Sequence, residues 1–196
     1  MKKAYLVSAM ILALAACSQP EVPTDRYYRL QLAAPSAPMR RVVLKGTLEV
    51  ERFIANGLIA GRPILHSQAG KPNEIREYNY HFWTEPPIVL LRDQLVTYLR
   101  AVKIADVVVT PEVRIAPDYV ITGKIKRLEK IDGERPKAVV ELELALRKTA
   151  GGKLLYLDSF RVETEAADNS VAAAIEALNA ALDEIYGKFT AAIAKL

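Results

Sequence analysis

Cysteine and histidine are nearly absent from this sequence of 196 residues, which contains one cysteine, Cys17, and two histidines, His66 and His81. A small secreted fold held together by disulfides needs an even set of cysteines, so the single thiol excludes that class of protein. The two histidines lie on different predicted strands, without a second cysteine or an H-x-x-x-H spacing, so we expect no metal site. Cys17 therefore needs another explanation.

The sequence also lacks the motifs of the common enzyme classes and a strong charge. It has no G-x-S-x-G elbow, no P-loop and no dinucleotide-binding glycine pattern, so we expect no catalytic residue. The formal net charge is +4, and removal of Lys2 and Lys3 with the leader predicted below lowers it to +2. A charge of this size does not indicate a nucleic-acid partner.

The apolar run at the start of the chain is too short to span a bilayer. Lys2 and Lys3 are followed by 13 residues without a charge, 4–16, whereas a transmembrane helix needs about 20 apolar residues. A short positive start followed by such a run is typical of an export signal. We therefore predict that residues 1–16 are a signal peptide.

The end of this segment, Leu14-Ala15-Ala16-Cys17, resembles the lipobox of bacterial lipoproteins. Small side chains let the peptidase approach the bond between Ala16 and Cys17, and the thiol is the alkylation site. We predict cleavage there and lipid on Cys17, with no other cofactor. The alternative, a free or buried thiol behind a conventional signal peptide, fits the position of Cys17 less well.

The lipid on Cys17 predicts where the protein is held. A single acyl chain holds a protein only marginally, at roughly 0.8 kcal/mol per buried methylene, and two or more chains make the attachment stable. The lipoprotein sorting rule known from enteric bacteria reads the residue after the cysteine, where Asp favours the inner membrane. Ser18 resembles the outer-membrane class, which predicts a lipid anchor in the cell envelope, at the periplasmic face of the outer membrane.

The remaining chain is predicted to form a short tether and one folded domain. Residues 17–25 carry two prolines and little to bury, and the eight residues after Cys17 reach roughly 25 Å when extended. Residues 26–196 have the length and the composition of one globular domain, with 51% hydrophobic and 26% charged residues in the whole chain.

Hydrophobic periodicity predicts an α+β fold, with two main helices packed on one face of a mixed, largely antiparallel sheet. In the segment 138–149, apolar residues alternate with charged ones, which indicates a sheet with one wet face. We expect a hairpin between 64–67 and 74–83, and an antiparallel meander from 107 onwards. The predicted strands are 27–32, 42–50, 64–67, 74–83, 107–110, 119–130, 138–149 and 154–165, with a helical turn in 53–60 and helices at 87–102 and 170–196.

Four aromatic residues are clustered in one predicted strand: Tyr78, Tyr80, Phe82 and Trp83. Strict alternation would put the first three on one face of that strand. One interpretation makes the cluster the core strand beneath the helix 87–102, because aromatic residues supply large buried areas. The other interpretation places some of the rings against a partner or along a lipid-accessible groove. The sequence leaves both interpretations open.

The order of three motifs gives the chain a family resemblance. The lipobox is followed by Arg26-Tyr27-Tyr28-Arg29-Leu30, and later by Trp83-Thr84-Glu85-Pro86, which leads into a helix with Leu91 and Leu95. This arrangement resembles the ABC-type transport auxiliary lipoprotein family, also called the PqiC or YmbA family. The resemblance covers most of the mature chain.

The resemblance implies a non-enzymatic component of an MCE-type system, in which an inner-membrane ABC permease and ATPase work with a periplasmic MCE protein to move phospholipids or other hydrophobic molecules. The lipoprotein would dock the MCE protein at the outer membrane, either as a single copy or as a ring of identical copies. The candidate partner-binding region comprises Tyr78, Tyr80, Phe82, Trp83 and Pro86. Two alternatives remain open: a carrier with a phospholipid between the sheet and the C-terminal helix, and a structural lipoprotein of envelope assembly, like the helper of lipopolysaccharide insertion.

Overall fold

The computed structural model describes residues 23–33, 35 and 38–196. The predicted cleavage and lipidation sites at Ala16 and Cys17, and most of the predicted tether, lie outside the described residues. The part of the chain that is described has an α+β fold with nine strands in one mixed sheet and two α-helices. The elements are β1 (Arg26–Tyr28), β2 (Leu44–Val50), β3 (Ile54–Ala55), β4 (Pro63–Gln68), β5 (Lys71–Trp83), α1 (Pro87–Val102), β6 (Ala105–Val109), β7 (Tyr119–Asp132), β8 (Lys137–Lys148), β9 (Leu154–Glu165) and α2 (Val171–Ile193).

The long strand β7 is the centre of the sheet. One of its edges pairs with β8 in antiparallel register along nearly its whole length, and β9 continues this meander. Its other edge pairs in parallel with β2, β3 and β4 in turn. The sheet then branches. In one branch β6 pairs with β2, and in the other β5 pairs with β4 and β1 pairs with β5. The antiparallel pairs are the long ones, as predicted.

The meander supplies the main hydrophobic core. Val140, Leu142, Leu144 and Leu146 have no exposed surface, and they alternate with half-buried Glu141, Glu143 and Arg147. The predicted alternation of β8 is therefore confirmed. Helix α2 covers the apolar face with side chains that are likewise buried, and Ser170 caps its first turn by accepting a hydrogen bond from the backbone N–H of Ala173, at 3.0 Å. No helix among the described residues is long and apolar enough to cross a membrane.

Three predicted elements differ from the structure. The strand predicted at 107–110 does not join the meander, because β2 lies between β6 and β7 and pairs in parallel with both. The strand predicted at 27–32 ends at Tyr28, since the backbone N–H groups of Gln31 and Leu32 donate to the side chains of Asn179 and Gln94 on the two helices. In the segment 53–60, a 3-10 turn covers only Gly57–Ala60, and Ile54–Ala55 pairs with β7 instead.

A close contact between an aromatic ring and a glycine fixes how β3 lies on β7. The ring of Phe53 is buried over Gly123, and a Cβ atom at that glycine would lie 2.5 Å from two ring carbons. By contrast, a Cβ atom at Gly187 in α2 would be no closer than 3.4 Å to the hydroxyl of Tyr98.

The two glycines give a matched pair of substitutions. We expect Gly123→Ala to lower the free energy of unfolding by about 1–3 kcal/mol, because the added methyl group overpacks the site. We expect Gly187→Ala to raise it by up to about 1 kcal/mol, because alanine is the better helix former. Urea denaturation measures both, and equal effects of the two substitutions would contradict the packing described.

Candidate functional site

The aromatic cluster of β5 is divided between both faces of the strand. Tyr78 contacts His81, with ring centroids 5.2 Å apart, whereas Phe82 contacts Tyr27, at 5.8 Å. Neighbouring residues of a strand point to opposite faces, so the side chains of His81 and Phe82 lie on opposite faces of β5. The prediction that Tyr78 and Phe82 share a face is therefore wrong. The reason is an irregularity in the hairpin, whose register shifts between the Pro63–Phe82 and Leu65–Glu77 pairs.

Three aromatic residues at this end of the sheet make up what we call the aromatic edge: Tyr27 of β1 and Phe82 of β5, whose rings are in contact, and the exposed Tyr80, two residues before Phe82 on β5. Tyr27 is 56% exposed and Tyr80 is 41% exposed, while Phe82 is half-buried. The guanidinium carbon of Arg62 lies 5.4 Å from the centre of the Tyr27 ring, which is a cation–π distance. The strand β1 lies at the end of the sheet, so the aromatic edge is also a sheet edge.

Buried groups hold the aromatic edge in place. Trp83 is 1% exposed and exchanges two hydrogen bonds with Arg62: its N–H donates to the Arg62 carbonyl at 2.7 Å, and its carbonyl accepts from the Arg62 Nε at 3.0 Å. The N–H of Thr84 donates to the carbonyl of Tyr28 on β1 at 2.8 Å. Pro86 then precedes the first turn of α1 and is half-buried. Of the five predicted partner-binding residues, Trp83 thus lies in the core and Pro86 is the residue before a helix.

The other side of β5 carries a second group of rings, which we call the histidine–tyrosine stack. The ring of His66 stacks on Tyr78 at 4.2 Å, Tyr78 meets His81 edge-on, and His81 stacks on Tyr28 at 5.6 Å. At the His66 end, Nδ1 lies 2.7 Å from Oδ2 of Asp132, whose other carboxylate oxygen accepts from the buried Lys130. The stack thus connects the end of β7 to the edge strand β1.

The protonation of His81 is coupled to the attachment of β1. Burial lowers the pKa of His81, and the charge of Arg26 lowers it further. With its proton on Nε2, the neutral ring accepts a hydrogen bond at Nδ1 from the hydroxyl of Tyr28, at 2.8 Å. Burial also raises the pKa of Tyr78, which keeps the middle of the stack uncharged.

This coupling predicts a pH dependence of stability. The pKa of His81 is lower in the folded state than its unfolded value of about 6.5. The stability that the neutral ring contributes is therefore complete above that pH, and it is lost as the pH falls through the lower pKa of the folded state. We expect the urea midpoint to fall between about pH 7 and pH 5, and to fall less in His81→Gln. Identical pH profiles of the two proteins would contradict this assignment.

The described residues also bear on the other expected kinds of site. No group of three or more metal-ligating side chains occurs among them. The carrier alternative placed an acyl chain between the sheet and α2, but that interface is filled: Leu182, Ile185 and Phe189 have no exposed surface. An open groove does occur on the opposite sheet face, and it is described below.

Tyr27 of the aromatic edge, and Arg62 over its ring, do not belong to the partner-binding region predicted from the sequence. Tyr27 lies in the Arg26–Leu30 motif, where it was noted for its family resemblance alone. Its pairing with Phe82 joins residues far apart in the sequence, and no local pattern signals that contact. Arg62 stands in a turn before β4, and its position over the Tyr27 ring depends on the same pairing.

Comparison with known proteins agrees with this architecture. No curated protein matches the chain. A crystal structure of a DUF330-family protein from Xanthomonas campestris superposes with a TM-score of 0.71 at 19% identity, covering 84% of this chain and 92% of that one. A second solved structure, of an uncharacterized protein, gives a TM-score of 0.70 at 17% identity, covering 87% and 99% of the two chains. These likenesses show a shared fold.

The family itself is shown by the sequence. Residues 28–188 match the family described as the ABC-type transport auxiliary lipoprotein component. The matched range runs from Tyr28, the last residue of β1, into the last turns of α2, so it includes Tyr80 and Phe82 of the aromatic edge but not Tyr27. That family is described as a transport component and not as an enzyme. The chain belongs to the ABC-type transport auxiliary lipoprotein family.

Proposed function

We propose that this protein is the lipid-anchored docking component of an MCE-type transport system, held at the periplasmic face of the outer membrane by lipid on Cys17. In this role it binds the periplasmic MCE protein, and the system moves phospholipids or other hydrophobic molecules across the envelope. Family membership supports the transport role. Docking at a membrane needs an anchor and a protein-binding surface, and the role requires no reacting group.

The observation that carries the proposal is the exposed aromatic edge. Aromatic residues and arginine are enriched at protein interfaces and depleted on ordinary surfaces, and they dominate the binding energy where they are desolvated. Tyr27, Tyr80 and Phe82, with Arg62 above the first ring, supply this composition in one place. The rigid support from Trp83 reduces the entropy that the edge would lose on binding.

A ring of identical copies is part of the proposal. Among the described elements, β9 pairs with β8 alone, which leaves one edge of a 12-residue strand without a partner. Such an edge is a template for pairing with another chain. Ring formation would place several aromatic edges around one MCE assembly.

A pull-down with the MCE protein of the same organism tests this function. We expect the lipidated wild-type protein to retain the MCE protein, and the double variant Tyr27→Ser/Tyr80→Ser to bind at least about tenfold more weakly, because interface aromatics are binding hot spots. Val113→Ser is the matched control, since Val113 is 51% exposed but lies outside the aromatic edge.

The two ways in which this test can fail are distinct. If the wild-type protein does not retain the MCE protein, the docking function is wrong. If the wild type and the double variant retain it equally, docking stands and the aromatic edge is not the docking surface.

A further inference from the structure

The sheet face turned away from the helices carries a groove of about 250 Å³, which we call the outer groove. Its floor is made of small residues, Thr122 and Gly123 of β7 and Ala145 of β8. Its walls are Ile54 of β3 and Leu157 of β9, which are 60% and 54% exposed. Leu157 pairs directly with Ala145, which in turn pairs with Thr122, so the groove crosses three neighbouring strands.

The small floor interrupts a row of long charged side chains on β8. On β8, Ala145 stands between Glu143 and Arg147, two residues away on either side and on the same face. An alanine in this position leaves a depression that its neighbours would fill. The exposed aliphatic walls are the kind of surface that marks a binding site when it is contiguous and rimmed by polar residues.

The rim of the outer groove has two acidic and two basic residues, but the short ion pairs join both acids to basic residues outside the rim. The two acidic rim residues are already paired, Glu51 with Arg147 at 3.4 Å and Glu143 with Lys126 at 3.0 Å. The two basic rim residues, Arg52 and Lys124, have no carboxylate oxygen within 4.0 Å in the part of the chain that is described. Lys124 does help Lys126 to lower the pKa of Glu143, but the short contact belongs to Lys126.

We propose that the outer groove binds a phospholipid, with a segment of one acyl chain on the floor between Ile54 and Leu157 and the phosphate held by Arg52 and Lys124. Aliphatic walls beside two cations that have no close carboxylate fit an anionic amphiphile, since arginine and lysine are the usual ligands of phosphate. The choice of a phospholipid among such amphiphiles rests on the proposed place of the protein in a lipid-transport system. This site is separate from the aromatic edge, so lipid and MCE protein would bind different surfaces.

Photolabelling tests the outer groove directly. The lipidated wild-type protein is irradiated in dodecyl maltoside micelles with phosphatidylglycerol that carries a diazirine in one acyl chain, and the labelled peptides are mapped by mass spectrometry. We expect labels on β3, β8 and β9 around the groove. Ala145→Trp, which fills the floor, should reduce them by at least about fivefold.

Matched variants separate the acyl and phosphate parts of the site. Glu141→Trp places the same ring on the same strand and face but outside the groove, and it should leave the labelling unchanged. Arg52→Glu/Lys124→Glu should reduce labelling by phosphatidylglycerol while sparing a diazirine diacylglycerol. Leu157→Asp, at an exposed position in the wall of the groove, serves as the second variant if Ala145→Trp does not fold.

Three results would overturn the proposal. The first is labelling that Ala145→Trp and Leu157→Asp leave unchanged. The second is stronger labelling of the groove by a diazirine fatty acid than by the phospholipid. The third is loss of MCE binding in Ala145→Trp without phospholipid labelling of the wild type, which would make the groove a protein-binding surface. Because labelling needs no MCE protein, failure of the docking function would leave this test intact.

Discussion

Replacing Trp83 with alanine should lower the free energy of unfolding by about 3–5 kcal/mol, the range for removal of a large aromatic side chain from a core. Trp83 is 1% exposed and is among the largest fully buried side chains of the described chain. It is also the last residue of β5, four positions before α1 begins, and its backbone is hydrogen-bonded to Arg62. A cavity at this point would loosen the strand that carries the aromatic edge.

The matched control is Tyr80→Ala, three residues earlier on the same strand. Tyr80 is 41% exposed, so its removal should change the free energy of unfolding by no more than about 0.5 kcal/mol. Urea denaturation followed by circular dichroism measures both variants. Similar losses of stability in the two would contradict the division of the cluster into one core residue and an exposed edge.

Replacing Cys17 with alanine should release the protein from the membrane fraction, because the thiol is the proposed lipid attachment site. Two or three acyl chains make the attachment stable at roughly 0.8 kcal/mol per buried methylene, and the variant would lose all of that energy. We expect the wild-type protein to remain in the membrane pellet after a carbonate wash and the variant to appear in the soluble fraction or as unprocessed precursor.

Ser18→Ala is the control for this experiment, because it keeps the thiol and a small residue beside it. It should remain in the pellet and carry the same lipid mass as the wild type in intact-protein mass spectrometry. A Cys17→Ala variant that is processed normally and remains in the washed pellet would show that something other than lipid on this residue holds the protein.

Much of the fold follows from local patterns in the sequence. The bounds of α1 and β9 agree with the predicted ranges, and each start has a strong local cause, the proline pair Pro86-Pro87 for α1 and the glycine pair Gly151-Gly152 shortly before Leu154 for β9. The alternation of β8 reports directly which side of the meander is buried. These signals act within a few residues, so they do not depend on the rest of the fold.

The order of the strands could not be predicted in the same way. Nothing in the five residues of β6 distinguishes pairing with β2 from pairing with β7, because the choice depends on where α1 returns the chain. The early end of β1 depends on side chains of Gln94 and Asn179, which are distant in sequence. Both features are consequences of tertiary packing.

In the candidate site, too, some features follow from the local sequence and others depend on tertiary packing. The composition of β5 identified the aromatic cluster, but the register shift of its hairpin decides which rings are exposed. Period-two alternation describes a regular strand, and an irregular pair of strands breaks it locally. In the structure, Trp83 lies in the core and Tyr78 lies in the histidine–tyrosine stack. Tyr80 and Phe82 lie at the surface, where Phe82 contacts Tyr27.

Site-specific photo-crosslinking in living cells tests the central claim most directly, namely that the aromatic edge docks the MCE protein. A benzoylphenylalanine at position 80 replaces one exposed ring with another, and the same residue at position 113 reports an equally accessible position outside the edge. If the aromatic edge docks the MCE protein, position 80 gives a crosslinked product with that protein and position 113 gives none. A product from position 113 alone, or no MCE crosslink from position 80 in cells that contain both proteins, would contradict it.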